Sequence, residues 1–314
     1  MIRRPPRSTL GSNRRQRQMC IRDSWSTVFT LEQMQQFIQQ IKDYEFLQKA
    51  LTTSVMIGII AGILGCFIIL RGLALMGDAI SHAILPGVAI SYMMGTNFFI
   101  GAAITGFITA LFIGLIQQSS RIKSDAAIGI VFSSFFAIGV ILIQMAQSAT
   151  DLTEILFGNI LTVQDSDRNI TMVIGVIVII LVVAFYKELL ITTFDPTMAA
   201  AWGYPTKLIH YGIMVTLTLV TVASLQAVGA ILVVALLITP ASTAYLLTNN
   251  LRNMLILSAI FGVISSVVGL YISFVINVPS GAAIVLCATV MFVLAFLFAP
   301  NNGYVWRLAH KLSK

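Results

Sequence analysis

The chain has 314 residues, of which 58% are hydrophobic and only 10% are charged. Soluble domains carry about 25% charged residues, so this composition excludes a soluble globular protein and indicates one embedded in a membrane. The formal net charge of +7 does not indicate a nucleic-acid-binding surface, because residues 1–24 carry seven Arg and one Asp while the rest is nearly neutral.

Residues 1–24 contain no apolar run after their basic residues, so they lack the hydrophobic region of a secretory signal peptide. They resemble translated sequencing-adapter sequence, and we expect them to be a non-native tail. The alternative is a basic arm that touches anionic lipid, although the stretch has no amphipathic pattern. Cys20, Cys66 and Cys287 form no CxxC pair, so neither a disulfide framework nor a thiolate metal site is indicated.

Residues 25–50 are predicted to form an interfacial segment that leads into the membrane. Within this segment, residues 32–50 are polar, with apolar side chains recurring at helical spacing. This pattern is typical of a helix that lies along a membrane surface.

Residues 51–300 are predicted to form an all-α, polytopic transmembrane domain of about nine helices, with eight to ten possible. Each apolar segment approaches the roughly 20 residues that a bilayer span requires. Gly58 and Gly62 form a GxxxG motif in the first segment, which favours close contact between helices. Residues 301–314 are expected to form a cytoplasmic tail. The nine segments are about 51–70, 78–94, 98–116, 126–146, 170–186, 208–224, 227–247, 254–276 and 281–299.

The orientation follows from Lys and Arg in short loops, which are enriched on the cytoplasmic side. Nine alternating spans place the C-terminus in the cytoplasm and the start of the first span outside, with Arg168 as an exception on the outer side. The apolar segment 151–163 is too short to cross, which predicts a short re-entrant or interfacial helix. The residues that share the cytoplasmic side are Arg71, Arg121, Lys123, Lys187, Lys207, Arg252, Arg307 and Lys311.

Two ionisable residues lie within the second apolar segment. Asp78 and His82 are four residues apart, so on a helix they project from one face and can share a divalent cation. Ionisable groups at this depth usually face a bundle interior or a water-filled path. Pro86 and Gly87 weaken the helix just beyond the pair. The alternative is that Asp78 caps a helix start and His82 makes an interhelical hydrogen bond.

The segment 191–207 is predicted to be the longest cytoplasmic loop. Asp195, followed by a proline, suits the start of a short helix, and Gly203 suits its C-terminal cap. Met198 and Trp202 are exposed on this helix if it lies outside the membrane, which indicates a docking partner. The alternative is a helix that rests on lipid headgroups, because Trp prefers membrane interfaces.

Several catalytic and nucleotide-binding motifs are absent from the sequence. There is no GxxxxGK[ST] to cradle nucleotide phosphates, and there is no GxSxG or HExxH. His82, His210 and His310 are far apart in sequence. These absences argue against nucleotide binding by the chain itself and against a membrane-embedded enzyme.

Taken together, several longer motifs are specific. They are GDAISHAILPGVA (77–89), LFGNIL (156–161), FDPTMAAAWG (194–203), QAVGAILVVALLITPASTAYL (226–246) and SGAAIVL (280–286). With these motifs the chain resembles, over about residues 35–300, the ABC-3 family of membrane permeases from zinc, manganese and iron importers. The manganese-type members look most similar, on YEFLQKAL (44–51), CFIILRGLALMGDAISHAILPG (66–87) and IKSDAAIGIVFSSF (122–135).

The resemblance implies a transport subunit, not an enzyme, in the bacterial cytoplasmic membrane. It implies a homodimer lining one path for Mn, Fe or Zn, two cytoplasmic ATPase subunits, an extracellular metal-binding protein, and no permanently bound cofactor. Asp78 and His82 match the positions proposed to contact the metal. The coupling helix that docks on the ATPase matches the segment holding Phe194, Asp195, Met198, Ala199, Trp202 and Gly203.

Other polar residues have weaker claims. Asp151 and Glu154 could meet the binding protein or gather cations, but solvated loop acids explain them equally well. Gln226 is either a polar group of the path or a hydrogen-bonding contact between helices, and we expect His210 to be structural. The alternative functions are a permease for a metal chelate of the siderophore or cobalamin type and a metalloenzyme using Asp78, His82 and His210. Zinc catalysis normally needs three protein ligands, and no spacing here supplies the third convincingly.

Overall fold

The structure is a computed structural model that describes residues 31–146 and 160–299. Helices make up nearly all of the described chain, together with a 3-10 turn at Ile160–Thr162. The helices are α1 (Leu31–Asp43), α2 (Glu45–Leu70), α3 (Ala74–Ala83), α4 (Leu85–Met94), α5 (Phe98–Ser119), α6 (Ser124–Met145), α7 (Asp165–Ala184), α8 (Tyr186–Phe194), α9 (Pro196–Ala201), α10 (Thr206–Val228), α11 (Ala230–Leu247), α12 (Leu251–Ile276) and α13 (Ser280–Phe298).

Nine stretches of the described chain are long and apolar enough to cross a membrane, with α3 and α4 forming one of them. The predicted all-α, nine-span architecture is therefore confirmed. The main differences lie at helix boundaries. α2 begins at Glu45, before the predicted start at residue 51, and Tyr44 separates it from α1. The expected interfacial helix over 32–50 therefore ends at Asp43, and its last residues belong to the first span.

α2 lies at the centre of the bundle and packs mainly on α11 and α12. The backbones of α2 and α12 touch at Gly58, where an added Cβ would lie 2.7 Å from the Gly262 carbonyl oxygen. One turn further along, the Ser258 hydroxyl donates a hydrogen bond of 2.8 Å to the Gly62 carbonyl. The close helix contact expected from the GxxxG motif is thus present, because two glycines and a small hydroxyl leave room for it.

Charged residues tie α2 to α7 at the end of the bundle that is predicted to face outward. The Lys49 ammonium lies 2.9 Å from a carboxylate oxygen of Glu45 and 2.9 Å from one of Asp165. Arg168 lies 3.6 Å from the second oxygen of Asp165. The positive charge of Arg168, which the charge pattern predicts to lie on the outer side, is therefore offset locally by Asp165.

The end of the bundle that is predicted to face the cytoplasm carries more helix than the sequence predicts. α7 ends at Ala184, and a separate helix, α8, runs to Phe194 before α9 begins. The predicted loop 191–207 thus starts inside α8. The break at Phe185 carries neither Gly nor Pro, so the sequence pattern does not mark it.

Some predictions fall on residues that the structure does not describe. They include the tails 1–24 and 301–314 and most of the segment 151–163. The two cysteines within the spans are free thiols. Cys66 is buried and Cys287 is half-buried.

Candidate functional site

The Asp78–His82 pair lies on α3, a helix of ten residues that forms the first half of the second candidate membrane span. α4 forms the second half. α3 starts after Leu73, whose side chain makes no capping bond, so Asp78 sits in the second turn and caps nothing. This contradicts the alternative in which Asp78 caps a helix start. α3 ends at Ala83, one residue beyond His82, and Pro86 lies in the first turn of α4. The helix break expected just beyond the pair is therefore present.

The carboxylate and the imidazole face each other across one turn of α3. Asp78 Oδ1 lies 3.5 Å from His82 Nε2, too far for a strong hydrogen bond but close enough for both atoms to bind one cation. The Asp78 side chain is 52% exposed and the His82 side chain 23%. His82 Nδ1 is buried and has no hydrogen-bond partner among the described residues. The interhelical hydrogen bond that the alternative interpretation assigns to His82 is therefore not found for Nδ1 among these residues.

Aromatic packing holds the imidazole in place. The rings of Phe132 and Phe136 on α6 have their centroids 5.7 and 5.8 Å from that of His82, the second in an edge-on arrangement. These contacts fix the ring plane from one side. They leave His82 Nε2, the imidazole atom that a cation would bind, directed toward Asp78.

The opposite side of the pair opens on a groove of about 350 Å³ between α3 and α11. Its wall on α11 is apolar apart from Thr239, and it runs from Ala230 through Val234 and Ile238. Gly77 lets α11 approach α3 here, because an added Cβ would collide with the Leu237 side chain. The pair therefore lies at the edge of an apolar groove, where few other polar groups compete for a cation.

The described part of a single chain does not complete a metal site in this region. Among residues 31–146 and 160–299, no group of three or more His, Cys, Asp or Glu side chains is close enough to hold a metal ion. His210 instead lines a separate cavity at the N-terminal end of α10, so it does not join Asp78 and His82. The three-ligand set that the metalloenzyme alternative requires is thus not assembled by these residues.

Residues 194–203, which we call the coupling segment after the family element they resemble, have the caps that the sequence predicts at both ends of α9. The Asp195 carboxylate accepts a 2.9 Å hydrogen bond from the Met198 amide, which satisfies an unpaired donor of the first turn. At the other end, Gly203 has φ of 84°, a conformation that favours glycine. The Gly203 amide donates to Ala200 O and the Tyr204 amide to Ala199 O, the two bonds of a Schellman motif.

The outer face of the coupling segment is apolar and exposed. Phe194, Met198 and Trp202 are 59%, 45% and 60% exposed. Ala199 is fully buried, so it seats α9 on the chain's own surface and does not face outward. The Met198 amide and the Thr197 hydroxyl, as hydrogen-bond donors to its carboxylate, lower the pKa of Asp195. Asp195 therefore stays charged at neutral pH and keeps the helix capped.

The remaining predicted residues are scattered. Asp151 and Glu154 lie outside the described residues, and Gln226 is exposed near the end of α10. Sequence reasoning missed the hydrogen bonds from Arg71 to Thr192 and Thr193, which join the α2–α3 turn to α8. The sequence carries little signal for these hydrogen bonds, because it marks Arg71 only as a cation in a loop and adjacent threonines are common.

Comparisons with known proteins agree on one family. The sequence profile described as the ABC 3 transport family matches residues 43–299. The chain belongs to this family. It is 61% identical over 270 residues to the manganese transport system membrane protein MntC of Listeria monocytogenes, covering 86% of this chain and 96% of that protein. It is 52% identical over 274 residues to the manganese import system permease protein ScaB of Streptococcus gordonii, covering 87% and 99%.

A solved structure extends this likeness to three dimensions. PsaBC from Streptococcus pneumoniae in complex with Fab matches with a TM-score of 0.79 at 52% identity, covering 90% of this chain and 100% of that one. The family and the fold class predicted from the motifs are confirmed. The ABC 3 family member is a multi-pass protein of the bacterial cytoplasmic membrane and a transport subunit, not an enzyme.

Proposed function

We propose that this ABC 3 family member is the permease subunit of an importer that moves manganese across the membrane. The observation that carries the proposal is the Asp78–His82 pair, two metal-binding side chains facing one groove within a membrane span. Manganese is favoured because the MntC and ScaB relatives are named for its transport. Iron and zinc are the competing cargoes, since both also accept carboxylate and imidazole ligands.

Two copies of the chain would complete the metal site. One chain offers a carboxylate and an imidazole, while Mn²⁺ usually takes about six ligands in octahedral geometry. A twofold axis along the α3–α11 groove would bring two copies of Asp78 and His82 together, with water filling the remaining positions. The half-exposed carboxylate, and a ligand set that stays incomplete among the described residues, support this arrangement.

Energy would enter through the coupling segment. The sequence has no nucleotide-binding loop, so ATP hydrolysis must take place on a separate cytoplasmic ATPase. Met198 on α9 and Trp202, the residue after that helix, are both exposed, and α9 is held by caps at both ends. Such a rigid apolar projection fits a groove on a partner protein. Phe194 extends the same surface at the end of α8.

Cargo would arrive from the opposite side of the membrane. An extracellular metal-binding protein would deliver the ion to the outer ends of the spans. Asp151 and Glu154 are the weaker candidates for contact with it, because the alternating spans place them in an outer loop. Only their position in the sequence and their negative charge support this role for Asp151 and Glu154, whereas Asp78 and His82 are also supported by their geometry.

Uptake of radioactive manganese into proteoliposomes tests the proposal. The full chain, reconstituted with its ATPase and binding protein, should accumulate manganese only with ATP. Asp78→Ala and His82→Ala should abolish uptake while insertion and assembly persist. Asp125→Asn is a matched control, because Asp125 is an exposed carboxylate in the first turn of α6, away from the groove. Wild-type uptake in both groove variants would refute the metal-path role.

The same vesicles separate the competing cargoes. Unlabelled Fe²⁺ and Zn²⁺ should compete less well than Mn²⁺ if manganese is the preferred ion. Metal supplied as a siderophore or cobalamin-type chelate should not compete, because a bulky chelate would need a wider path than a bare ion that binds Asp78 and His82. Competition by the chelate in place of free metal would favour the chelate-permease alternative.

A further inference from the structure

A second cavity lies at the cytoplasmic end of the bundle, apart from the Asp78–His82 groove. Its volume is about 520 Å³. Leu70, the last residue of α2, and Thr206, the first residue of α10, both line it, which places it at the level where a span leaves the membrane. We call it the basic pocket, and its polar lining consists mainly of Arg71, Gln117, Thr192, Thr193, Lys207 and His210.

The charge of the basic pocket is one-sided. Arg71 and Lys207 supply two positive charges, and His210 supplies an imidazole. No Asp or Glu is among the described residues that line the pocket. None of the ion pairs between described residues involves Arg71 or Lys207. The positive charges of the pocket are therefore not neutralised by the part of the chain that the structure describes.

Arg71 is held in a fixed orientation. Its Nε donates to the Thr193 hydroxyl at 3.2 Å and its Nη2 to the Thr192 hydroxyl at 2.9 Å. The Thr192 hydroxyl in turn donates to the Glu188 carbonyl at 2.7 Å, which anchors the contact to α8. Burial lowers the pKa of the Arg71 guanidinium, the sign of a cation that is partly removed from water. An anion beside it would offset that cost.

Gln117 adds a neutral donor to the same wall. Its Nε2 is buried and has no hydrogen-bond partner among the described residues. Buried amide donors are normally satisfied, so an unpaired one that lines a cavity calls for an acceptor there. Together with Arg71, Lys207 and the hydroxyl of Thr206, it surrounds the cavity with donors from several helices.

We propose that the basic pocket binds a phosphate group, carried by an anionic phospholipid headgroup or by free phosphate in the cytosol. A tetrahedral phosphate offers acceptor oxygens in several directions, which suits donors converging from α2, α5, α8 and α10. A carboxylate has only two oxygens in one plane. Basic pockets between membrane helices on the cytoplasmic side are suited to lipid headgroups, and the level of Leu70 and Thr206 matches that position.

The position of the pocket gives the bound phosphate a regulatory role. Pro196, the first residue of α9, also lines the cavity. A phosphate bridging Arg71 and Lys207 would tie the α2–α3 turn to the start of α10. It would also contact the start of α9 at Pro196. Occupancy would therefore stiffen the coupling segment without touching the Asp78–His82 pair. This inference does not depend on which metal the ABC 3 family member transports.

The thermal unfolding midpoint of the full chain in lipid nanodiscs tests this proposal in two arms. One arm titrates inorganic phosphate into phosphatidylcholine discs at constant ionic strength, and the other compares phosphatidylglycerol discs with phosphatidylcholine discs. We expect the midpoint to rise in at least one arm. A response to phosphate alone identifies the free anion, and a response to phosphatidylglycerol alone identifies the lipid.

Three variants localise the response. Lys207→Gln and His210→Gln should weaken binding, Lys207→Gln by about tenfold, because a charge-assisted hydrogen bond is lost. Lys207 is exposed, so its replacement leaves the fold intact. Lys123→Gln removes an exposed lysine on the same side of the membrane but outside the pocket, and it should respond like the wild type. The proposal is overturned if neither arm raises the midpoint, if acetate acts as phosphate does, or if Lys207→Gln and Lys123→Gln respond alike.

Discussion

The Asp78–His82 groove and the coupling segment are built in opposite ways. The coupling segment is complete within one chain, because Asp195 and the Gly203 turn satisfy the backbone at both ends of α9. The groove is incomplete among the described residues: the His82 ring is held by aromatic packing, its Nδ1 lacks a partner there, and only two side chains offer ligands to a metal. A docking element must keep its shape before its partner arrives, whereas a transport site must bind its ion weakly enough to release it.

Charge at Asp78 is the strongest test of the groove. Asp78→Asn keeps the side-chain shape and removes the charge, so we expect manganese uptake to fall as far as in Asp78→Ala, by more than about 100-fold. Asp78→Glu, which keeps the charge, should retain part of the uptake. Initial rates in the same proteoliposomes measure this. Near-normal rates in Asp78→Asn would mean that shape and not charge matters at this position.

The turn after α9 is the strongest test of the coupling segment. Gly203→Val places a β-branched residue at positive φ, which costs an L-residue roughly 1–2 kcal/mol. We expect ATPase association to weaken roughly tenfold and metal-stimulated hydrolysis to fall with it, while the membrane fold persists. Gly203→Asn should recover much of the loss, because Asn tolerates this conformation.

Gly129→Val provides the control for that experiment. Gly129 lies within α6, and an added Cβ there meets nothing within 4 Å. The same replacement at that position should leave ATPase association unchanged. Normal co-purification and hydrolysis with Gly203→Val would place the ATPase contact elsewhere on the cytoplasmic side.

The N-terminal cap of α9 should have a smaller effect. Asp195→Ala leaves the Met198 amide without its acceptor, and we expect a roughly threefold weaker association with the ATPase. Asp195→Ser supplies another capping oxygen and should stay close to the wild type. Binding assays with the purified ATPase measure both. Equal losses in the two variants would show that the carboxylate acts as a direct contact and not as a cap.

The pH dependence of the cap follows from the direction of its pKa shift. The Met198 and Thr197 donors lower the pKa of Asp195 in the folded chain. The stabilisation is therefore present above the unfolded pKa, about 3.9, and is lost as the pH falls through the lower folded value. Asp195 should thus add no pH dependence to ATPase binding between about pH 5 and 8. A titration in that range that disappears in Asp195→Asn would contradict this.

Removal of residues 1–24 should have the smallest effect. Both compared regions lie outside this tail, which supplies charge but no apolar span. Expression in the membrane, ATPase association and manganese uptake should all match the full chain. Loss of membrane expression on trimming would show that the basic residues help insertion.

The coupling segment was the easier region to predict because its determinants are local. Asp195 and Gly203 are cap residues at the expected spacing, and the structure places them at the two ends of α9. The nine spans were equally accessible, since each is mostly apolar over about the length of a bilayer crossing. α8 and the early start of α2 were missed, because Phe185 and Tyr44 interrupt helices without a Gly or Pro signal.

The groove could be predicted only in part. The four-residue spacing gives Asp78 and His82 one face, and Pro86 marks the helix break. Phe132 and Phe136 reach His82 from a helix about fifty residues later in the chain, a tertiary contact that spacing does not encode. The basic pocket was missed for the same reason, because its donors come from four helices or their ends.

The manganese content of the purified transporter, with its ATPase bound, tests the account most directly. Two copies that share one site should bind one ion per two chains, measured by elemental analysis after removal of excess metal. His82→Gln should lose that ion, and electron paramagnetic resonance of bound Mn²⁺ should show imidazole nitrogen coupling in the wild type alone. One ion per chain, or an ion retained without nitrogen coupling to His82, would contradict a path formed by the Asp78–His82 pairs.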